Sequence, residues 1–325
     1  MIVLSHEDVA ALLPPETAIE VVAKAMAAVS RGEAELPLRS IMDAGGPNKM
    51  GIMPGMMRNP PCHGIKLVSL FPGNVAAGFS SHQGAMVLFE PEHGTTIAIM
   101  DGGPLTALRT AAASAVATRA LSRENSTVLA MVGAGEQARH HLDATLIVRP
   151  IRELRIASRT DKSATAFAEH ARRKYPHLAV SHGTDIRAAV TDADIVCTVT
   201  TSPTPVLQGA WIAPGTHLNV VGASIPSKRE IDDEMVLRAQ VFADYRRSTF
   251  AQAGEIVDLI GAGRIGEDHV RAEIGEVLNG TAPGRTDDAS ITLYRSLGIA
   301  AQDIACAYHC WEAAGRTGRG VEAPF

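Results

Sequence analysis

The run Val128 to Ala138, V-L-A-M-V-G-A-G-E-Q-A, constrains this chain more than any other segment. Val128, Leu129, Met131 and Val132 form a short apolar run of the kind found in a parallel strand covered on both faces. Gly133 and Gly135 end it, and without Cβ atoms they allow a tight turn in which backbone N–H groups can approach an anion. Ala138 is small enough for the helix that follows to pack closely on the strand. That helix presents unsatisfied N–H groups and the positive end of its dipole, a combination suited to a pyrophosphate. A lone G-x-G-x-x-A is a weak signal. Its setting strengthens it, because it follows a strand, opens a helix and is succeeded by further β and α segments.

A chain of 325 residues with 46% hydrophobic content can bury a large core, and ordinary domain sizes divide it into two. The net charge of −5, without a long single-sign run, argues against a protein that neutralises many nucleic-acid phosphates by itself. No stretch reaches about 18 unbroken apolar residues. Met1 to Ser30 lacks a basic segment followed by an apolar one, so a cytoplasmic protein without a membrane partner is expected. Cys62, Cys197, Cys306 and Cys310 have no metal-ligand spacing and read as reduced thiols packed as small hydrophobes. His82, His93, His140, His141, His217 and His309 include no convincing metal pair, so no metal is expected.

Taken in order, Ile2–Leu4 reads as a short strand and Ser5 as a helix cap. Pro15 opens a longer helix with Ile19, Val22, Met26 and Val29 on one face, and Gly32 stops it. From residue 36 to 101 short runs are divided by Gly and Pro: Leu36–Met42, Met50–Met53, Gly64–Phe71, Ala85–Glu90 and Thr95–Met100. They predict an antiparallel sheet, with a hairpin at Pro91-Glu92-His93-Gly94. An alanine-rich helix follows over Leu105–Leu121. After Ser126 strand and helix alternate, with strands predicted at Val128–Val132, Leu154–Ala157, Leu178–Ser181, Ile195–Thr200, His217–Gly222 and Val241–Ala243. Six such strands with crossovers make an α/β fold, a doubly wound parallel sheet of Rossmann type. A helix is predicted over Lys162–Lys174 with Thr160 and Asp161 as candidate caps. From Ser290 a short strand-like run precedes an apolar helix, Ala300–Ala314, and Gly315 to Phe325 reads as a loosely held tail.

Two sets of residues suggest chemistry. A Rossmann unit that prefers NAD places an acidic residue at the end of its second strand, where it holds the ribose 2′-OH. Here the position holds Ser158-Arg159-Thr160, and a guanidinium with two hydroxyls suits a 2′-phosphate, so NADPH is the expected cofactor, with NADH possible. The alternative is that Arg159 is a solvated surface arginine. The second set is Arg39 in P-L-R-S, Lys66 in G-I-K-L-V-S and Arg109 in L-T-A-L-R-T-A-A-A, three cations that each interrupt an apolar context. Burying a cation costs several kcal/mol unless an anion compensates, so a shared carboxylate ligand is a reasonable partner. Taken one at a time, each reads more readily as an exposed cation. The functional reading rests on their coming together.

The segments L-T-A-L-R-T-A-A-A-S-A-V-A-T, V-G-A-G-E-Q-A, H-L-N-V-V-G-A-S-I-P-S-K-R-E-I-D-D-E and Y-R-S-L-G-I-A-A-Q-D, in that order, resemble the ornithine cyclodeaminase/mu-crystallin family over almost the whole chain. The resemblance implies a homodimer. It also implies a substrate-binding and dimerisation domain over residues 1–120 and 299–325, beside a Rossmann dinucleotide-binding domain over 121–298. It implies that basic residues matching Arg39, Lys66 and Arg109 hold the substrate carboxylate, with Met53 and Lys228 at the same cleft. Lys66 and Arg109 are the residues expected to be catalytic. It further implies a cofactor set of Thr110, Gly133, Ala134, Gly135, Glu136 and Gln137, then Ser158, Arg159 and Thr160, then Thr200, Val221, Gly222 and Ser224, and the loop with Ser296 and Gly298 near the nicotinamide.

Departures from the family pattern narrow the chemistry. Cyclodeaminases similar to this chain carry an aspartate where Ser224 stands and a glutamate where Gly51 stands. Without both carboxylates, general acid and base work on a charged diamine loses its groups, and ring closure with ammonia release is not expected. The resemblance to reductase-like mu-crystallins implies an NAD(P)H-dependent reductase of small 2-imino acids, cyclic ones such as 1-pyrroline-2-carboxylate or 1-piperideine-2-carboxylate foremost, giving proline or pipecolate. The first alternative is alanine-dehydrogenase-like reductive amination of a 2-oxo acid. A cyclodeaminase-type lyase and a mu-crystallin-like binding protein follow.

Overall fold

The structure, a computed structural model, describes residues 1–80 and 82–324; the side chains of Val75, Ala76 and His82 lie outside the described ones. The chain runs β1 (Ile2–Leu4), α1 (His6–Leu12), α2 (Pro15–Ser30), β2 (Ala34–Glu35), β3 (Ser40–Asp43), β4 (Lys49–Met57), β5 (Cys62–Leu70), β6 (His82–Phe89), β7 (Thr96–Asp101) and α3 (Gly102–Leu121). It continues through β8 (Val128–Val132), α4 (Glu136–Val148), β9 (Glu153–Ala157), α5 (Asp161–Lys174), β10 (Ala179–Gly183), α6 (Ile186–Val190), β11 (Ile195–Thr198) and β12 (His217–Val220). Then come α7 (Asp233–Arg238), β13 (Gln240–Ala243), α8 (Arg246–Gln252), α9 (Gly254–Gly261), β14 (Val270–Glu273), α10 (Ile274–Leu278), β15 (Thr292–Arg295), α11 (Ala300–Thr317) and β16 (Val321–Glu322). Two compact units result, one of Met1–Arg109 with the chain from Ile299 onward, the other of Thr110–Gly298. The division falls inside α3, where the sequence reading put the change at residue 120.

The first unit holds an eight-stranded sheet in the order β16-β1-β7-β6-β5-β4-β2, with β3 also on β4. The sequence predicted an antiparallel sheet, and from β7 to β2 it is one; β1 adds to β7 in parallel. The tail is not loose. β16 pairs with β1, and the Met1 amino group donates to Ala323 O at 3.1 Å, so the two ends of the chain are tied to one sheet edge. A cap predicted from Ser5 is present, with Ser5 and Asp8 forming a reciprocal capping box. Pro15 opens α2, whose Ile19, Val22, Met26 and Val29 are buried, and Gly32 follows it at φ +73°.

One sheet face is dry. Met53, Lys66, Met86 and Met100 are cross-strand neighbours along it, and all four are buried. Helix α11 lies on this face so closely that a Cβ on Gly55 would stand 3.0 Å from Ala300 Cβ and 3.1 Å from Ile304 Cδ1. A side chain there would have to push these neighbours aside, and glycine avoids that. The opposite face, with Ile52, Ile65, Leu67, Val87, Ile97 and Ile99, is half-buried.

The second unit is a parallel sheet of eight strands in the order β10-β9-β8-β11-β12-β15-β13-β14. Six were expected; β15 was read only as strand-like, and β14 was missed. Its sequence, V-R-A-E, has no apolar run because it forms the sheet edge with Arg271 exposed. Leu129 and Met131 of β8 face one apolar cluster with Leu142, Ile156 and Phe167. Ala130 and Val132 face another with Val196, Leu218, Ile231 and Ile256. A strand buried on both sides reads as an unbroken apolar run, and β8 does. Strands lead outward from β8 to β10 on one side and from β11 to β12 on the other, so the order reverses between β8 and β11. Ligands of open α/β sheets bind outside the carboxyl ends of strands at such a reversal.

Candidate active site

Strand β5 turns Lys66 toward α11, while its neighbours Ile65 and Leu67 point the other way. Lys66 is 2% exposed, and its Nζ donates to Asp303 Oδ1 at 2.8 Å. Arg109, in α3, brings Nε to the same oxygen at 2.9 Å and donates from Nη1 to Gln302 Oε1 at 3.2 Å. Arg39, just before β3, is half-buried and near enough for its charge to act on Lys66. Met53 sits beside Lys66 in the register of β4 and β5. The three basic residues read from the sequence therefore come together in the first unit.

They come together around an anion of the chain itself. Asp303 is fully buried, and neither it nor Gln302 was assigned a role from the sequence, although both lie in A-A-Q-D. Burial pushes the Lys66 ammonium down to about 7; Arg109 and Arg39 push the same way, and Asp303 opposes them. Burial would raise Asp303, but the Arg109 and Lys66 cations outweigh it and hold the carboxyl below its ordinary range. One carboxylate faces two buried cations, which leaves a surplus positive charge. Asp303 Oδ2 and Gln302 Nε2 are buried without hydrogen-bond partners among the described residues. An unbalanced charge with unsatisfied polar atoms is costly for a folded chain and suited to an anionic guest.

In the second unit the turn after β8 has the geometry its glycines suggest. Gly133 has φ +112° and donates its N–H to Ala157 O at 2.8 Å, and a Cβ there would lie 2.9 Å from Val199 O. Gly135 caps α4 with no side chain covering the first N–H groups, and a Cβ built on it meets nothing within 4 Å. Ala134 and Glu136 flank Gly135 in the turn, and Ala138 is fully buried. Gln137 Oε1 is buried without a hydrogen-bond partner among the described residues. At the end of β9, Ser158 donates its N–H to Gly183 O at 3.1 Å. Arg159 is exposed with no partner among the described residues, whereas the Thr160 hydroxyl is occupied, accepting from Ser163 N at 3.3 Å as the cap of α5.

The loops after β11, β12 and β15 are tied down by acids that sequence reasoning missed. Glu230 Oε1 accepts from Thr200 N and Oγ1 at 2.6 and 2.7 Å, and its Oε2 from Thr198 Oγ1 at 2.9 Å and Gly222 N at 2.6 Å. A Cβ on Gly222 would fall 2.0 Å from Thr200 O, so this crossing admits only glycine. Val221 donates its N–H to Thr198 O at 3.0 Å, and Ser224 and Lys228 follow, both half-buried. Asp244 Oδ2 accepts from Leu297 N at 2.9 Å and Gly298 N at 2.7 Å. Arg295, fully buried, pairs with Glu255 and donates to Ala223 O at 2.7 Å. Ser296 Oγ, held in that loop, is buried without a partner, and Thr110, at the start of this unit, is buried. An uncapped helix behind a glycine turn, open space before it, and orphaned polar atoms at Gln137 and Ser296 fit a dinucleotide cofactor.

Among the described residues no group of three His, Cys, Asp or Glu side chains could hold a metal ion. His141 is structural: its Nδ1–H donates to Gln137 O at 2.8 Å and its Nε2 accepts from Ser114 Oγ at 2.9 Å. The four cysteines are buried and unpaired. No described helix is long and apolar enough to cross a membrane.

The family model for ornithine cyclodeaminase/mu-crystallin matches residues 1–318. The chain belongs to that family. The ketimine reductase mu-crystallin of Mus musculus is 36% identical over 265 residues, covering 81% of this chain and 80% of that protein. The solved structure of Thermococcus litoralis Delta(1)-pyrroline-2-carboxylate reductase in complex with NADH and L-proline is 33% identical, with a TM-score of 0.96 over 99% of this chain and 100% of that one. An archaeal alanine dehydrogenase dimer with bound NAD is 31% identical, with a TM-score of 0.93 over 100% and 99%.

Within the family the two departures from the cyclodeaminase pattern now have a setting. Gly51 is buried on β4 between Ile41 and Val68, and a Cβ there would lie 2.9 Å from Val68 Cγ1. A glutamate at this position would have to displace that methyl. Ser224 follows the Gly222 crossing and offers a hydroxyl there.

Proposed function

We propose that this chain is an NAD(P)H-dependent reductase of small 2-imino acids, cyclic ones foremost, converting 1-pyrroline-2-carboxylate or 1-piperideine-2-carboxylate to proline or pipecolate. The observation that carries the reading is the surplus positive charge of the buried Lys66 and Arg109 over Asp303. A substrate carboxylate neutralises that surplus, and Arg39 and Met53 complete the proposed substrate set of the first unit. The mouse and Thermococcus proteins bear names with this chemistry, which supports the assignment.

The glycine turn with Ala134, Glu136 and Gln137 would hold the cofactor pyrophosphate, Ser158 to Thr160 the adenosine ribose, and Thr110, Thr200, Val221, Gly222, Ser224, Ser296 and Gly298 the remainder. A reduced nicotinamide, when bound, supplies a hydride to the carbon of the C=N bond. Lys66 and Arg109 fix the acid group and so orient that carbon, which is the protein's share of the rate. A protonated cyclic imine is already electrophilic, so no strong general acid is required of the chain. The exposed guanidinium of Arg159 favours NADPH over NADH. On this reading the first unit is the substrate and dimerisation domain, and the half-buried apolar sheet face through Ile65, Val87 and Ile99 is what a second copy covers. A cytoplasmic setting suits four unpaired thiols.

The test is nicotinamide absorbance with each cofactor against a panel of preformed cyclic imines, acyclic imino acids, pyruvate with ammonia, and ornithine. Oxidation with cyclic imines is the expected result. Turnover only with pyruvate and ammonia moves the chain to the alanine dehydrogenase chemistry of its archaeal neighbour. Ammonia release from ornithine without a steady absorbance change would make it a lyase, and cofactor binding without any turnover a binding protein.

A further inference from the structure

We propose that Asp303 is a positioning residue of the substrate pocket: by taking Lys66 Nζ and Arg109 Nε on one oxygen, it keeps both cations converged and charged, and so sets the pH above which the pocket releases a carboxylate. The proposal rests on the reading of the chain as an imino-acid reductase.

An acid beside an anion site would ordinarily weaken it by repulsion. Here the geometry reverses the sign. With Asp303 removed, two buried cations would face each other, and the ammonium, unlike the guanidinium, can relieve the repulsion by releasing its proton. The pocket would then meet its substrate with one cation instead of two. The groups acting on Lys66 are Arg109 from α3, Arg39 from the segment before β3 and Asp303 from α11. Only Asp303 favours the charged amine, and Lys66 is already lowered to about 7 with it in place. Cys306, one turn along α11, is pushed well above its ordinary value by burial and contributes a neutral thiol. Asp303 is also not saturated in the way of a purely structural acid. Both cations share Oδ1, while Oδ2 has no partner.

The experiment measures kcat and KM for 1-pyrroline-2-carboxylate between pH 5.5 and 9 in the wild-type enzyme, Asp303→Asn and Asp303→Glu. In the wild type, KM should be flat in acid and rise about tenfold per pH unit above the break set by Lys66. Asp303→Asn should move that break to lower pH by about one unit or more, and Asp303→Glu should return it toward the wild-type position. An unmoved break in a folded, active Asp303→Asn enzyme overturns the proposal. Should that variant not fold, calorimetry of L-proline binding to the wild-type NADH complex, in two buffers of different ionisation enthalpy, decides. Little proton uptake at pH 6 and a growing fraction above pH 7 support an amine held charged by Asp303. A full proton taken up at pH 6 refutes it. Absence of any wild-type turnover or L-proline binding would instead count against the imino-acid reading itself.

Discussion

The two units bury charge in opposite styles. In the second, Glu230 is met by four hydrogen bonds from Thr198, Thr200 and Gly222, and Arg295 is matched by Glu255 and backbone carbonyls. Each charge is answered within the fold. In the first, Lys66 and Arg109 share one oxygen of one acid, so two buried cations face a single carboxylate. Both arrangements are equally buried, so burial does not distinguish a structural ion pair from a binding site. Charge balance does. A closed ledger holds loops in place, and an open one is poised for a ligand.

The sharpest way to break this contrast is to remove one member of each set. Glu255→Ala leaves Arg295 charged in the core, a loss of about 3–5 kcal/mol in unfolding free energy that a urea titration would register. Replacing the pair together, Glu255→Leu with Arg295→Met, should return most of it, because balanced buried pairs are often exchanged for apolar packing at little cost. In the first unit the double replacement Lys66→Met with Asp303→Leu also strips Arg109 of its acid, so it should lower the urea midpoint as well as abolish turnover. If activity survives, the first cluster is structural too.

Arg109→Ala comes next in size. It should lower kcat/KM for a cyclic imino acid by roughly two orders of magnitude, near the 3 kcal/mol upper value for a hydrogen bond to a charged group. A near-normal kcat/KM would remove Arg109 from the site.

Buried titratable groups of the second unit predict a smaller effect of the opposite kind, on stability alone. Burial pushes His141 down to about 4 and His217 down to about 3, so both are neutral in the fold. The unfolded chain, with histidines near 6.5, binds more protons below that pH. Their stabilisation is therefore complete above about 6.5 and is lost as pH falls toward the folded values, at about 1.4 kcal/mol per unit for each. His217→Asn should cut the stability difference between pH 7 and pH 5 by about 2 kcal/mol, as read from urea midpoints at the two pH values. An unchanged difference would mean that His217 is not the acid-sensitive group.

What could be read from the sequence divides along similar lines. Strand β8, the Gly133 turn, the Pro15 start and the Gly32 stop of α2 depend on neighbours within a few residues, and periodicity with breaker residues reveals them. Lys66 and Arg109 stood out as cations inside apolar runs. Their partner did not, because it lies 237 and 194 residues away from them. A clue was present: an aspartate inside the apolar run A-A-Q-D-I-A-C-A is a buried acid in search of a cation. Glu230 was hidden in K-R-E-I-D-D-E, which looks like a solvated charge run, and β16 could not be read because its pairing joins the two ends of the chain.

Arg159 offers the finest test, since it is an exposed cation just past the end of β9 with no partner among the described residues. If balance marks structure, Arg159 should matter to a ligand and not to the fold. Arg159→Ala should leave the urea midpoint unchanged and raise KM for NADPH by about tenfold, the loss of one solvent-exposed charged hydrogen bond to a 2′-phosphate. KM for NADH should not move, because a ribose hydroxyl gains little from a guanidinium. Thr160 cannot take over the role, its hydroxyl being spent on the cap of α5. A wild type that uses NADH as well as NADPH, with Arg159→Ala indifferent to both, would make Arg159 a solvated surface residue. The rule drawn from charge balance would then hold only for buried groups.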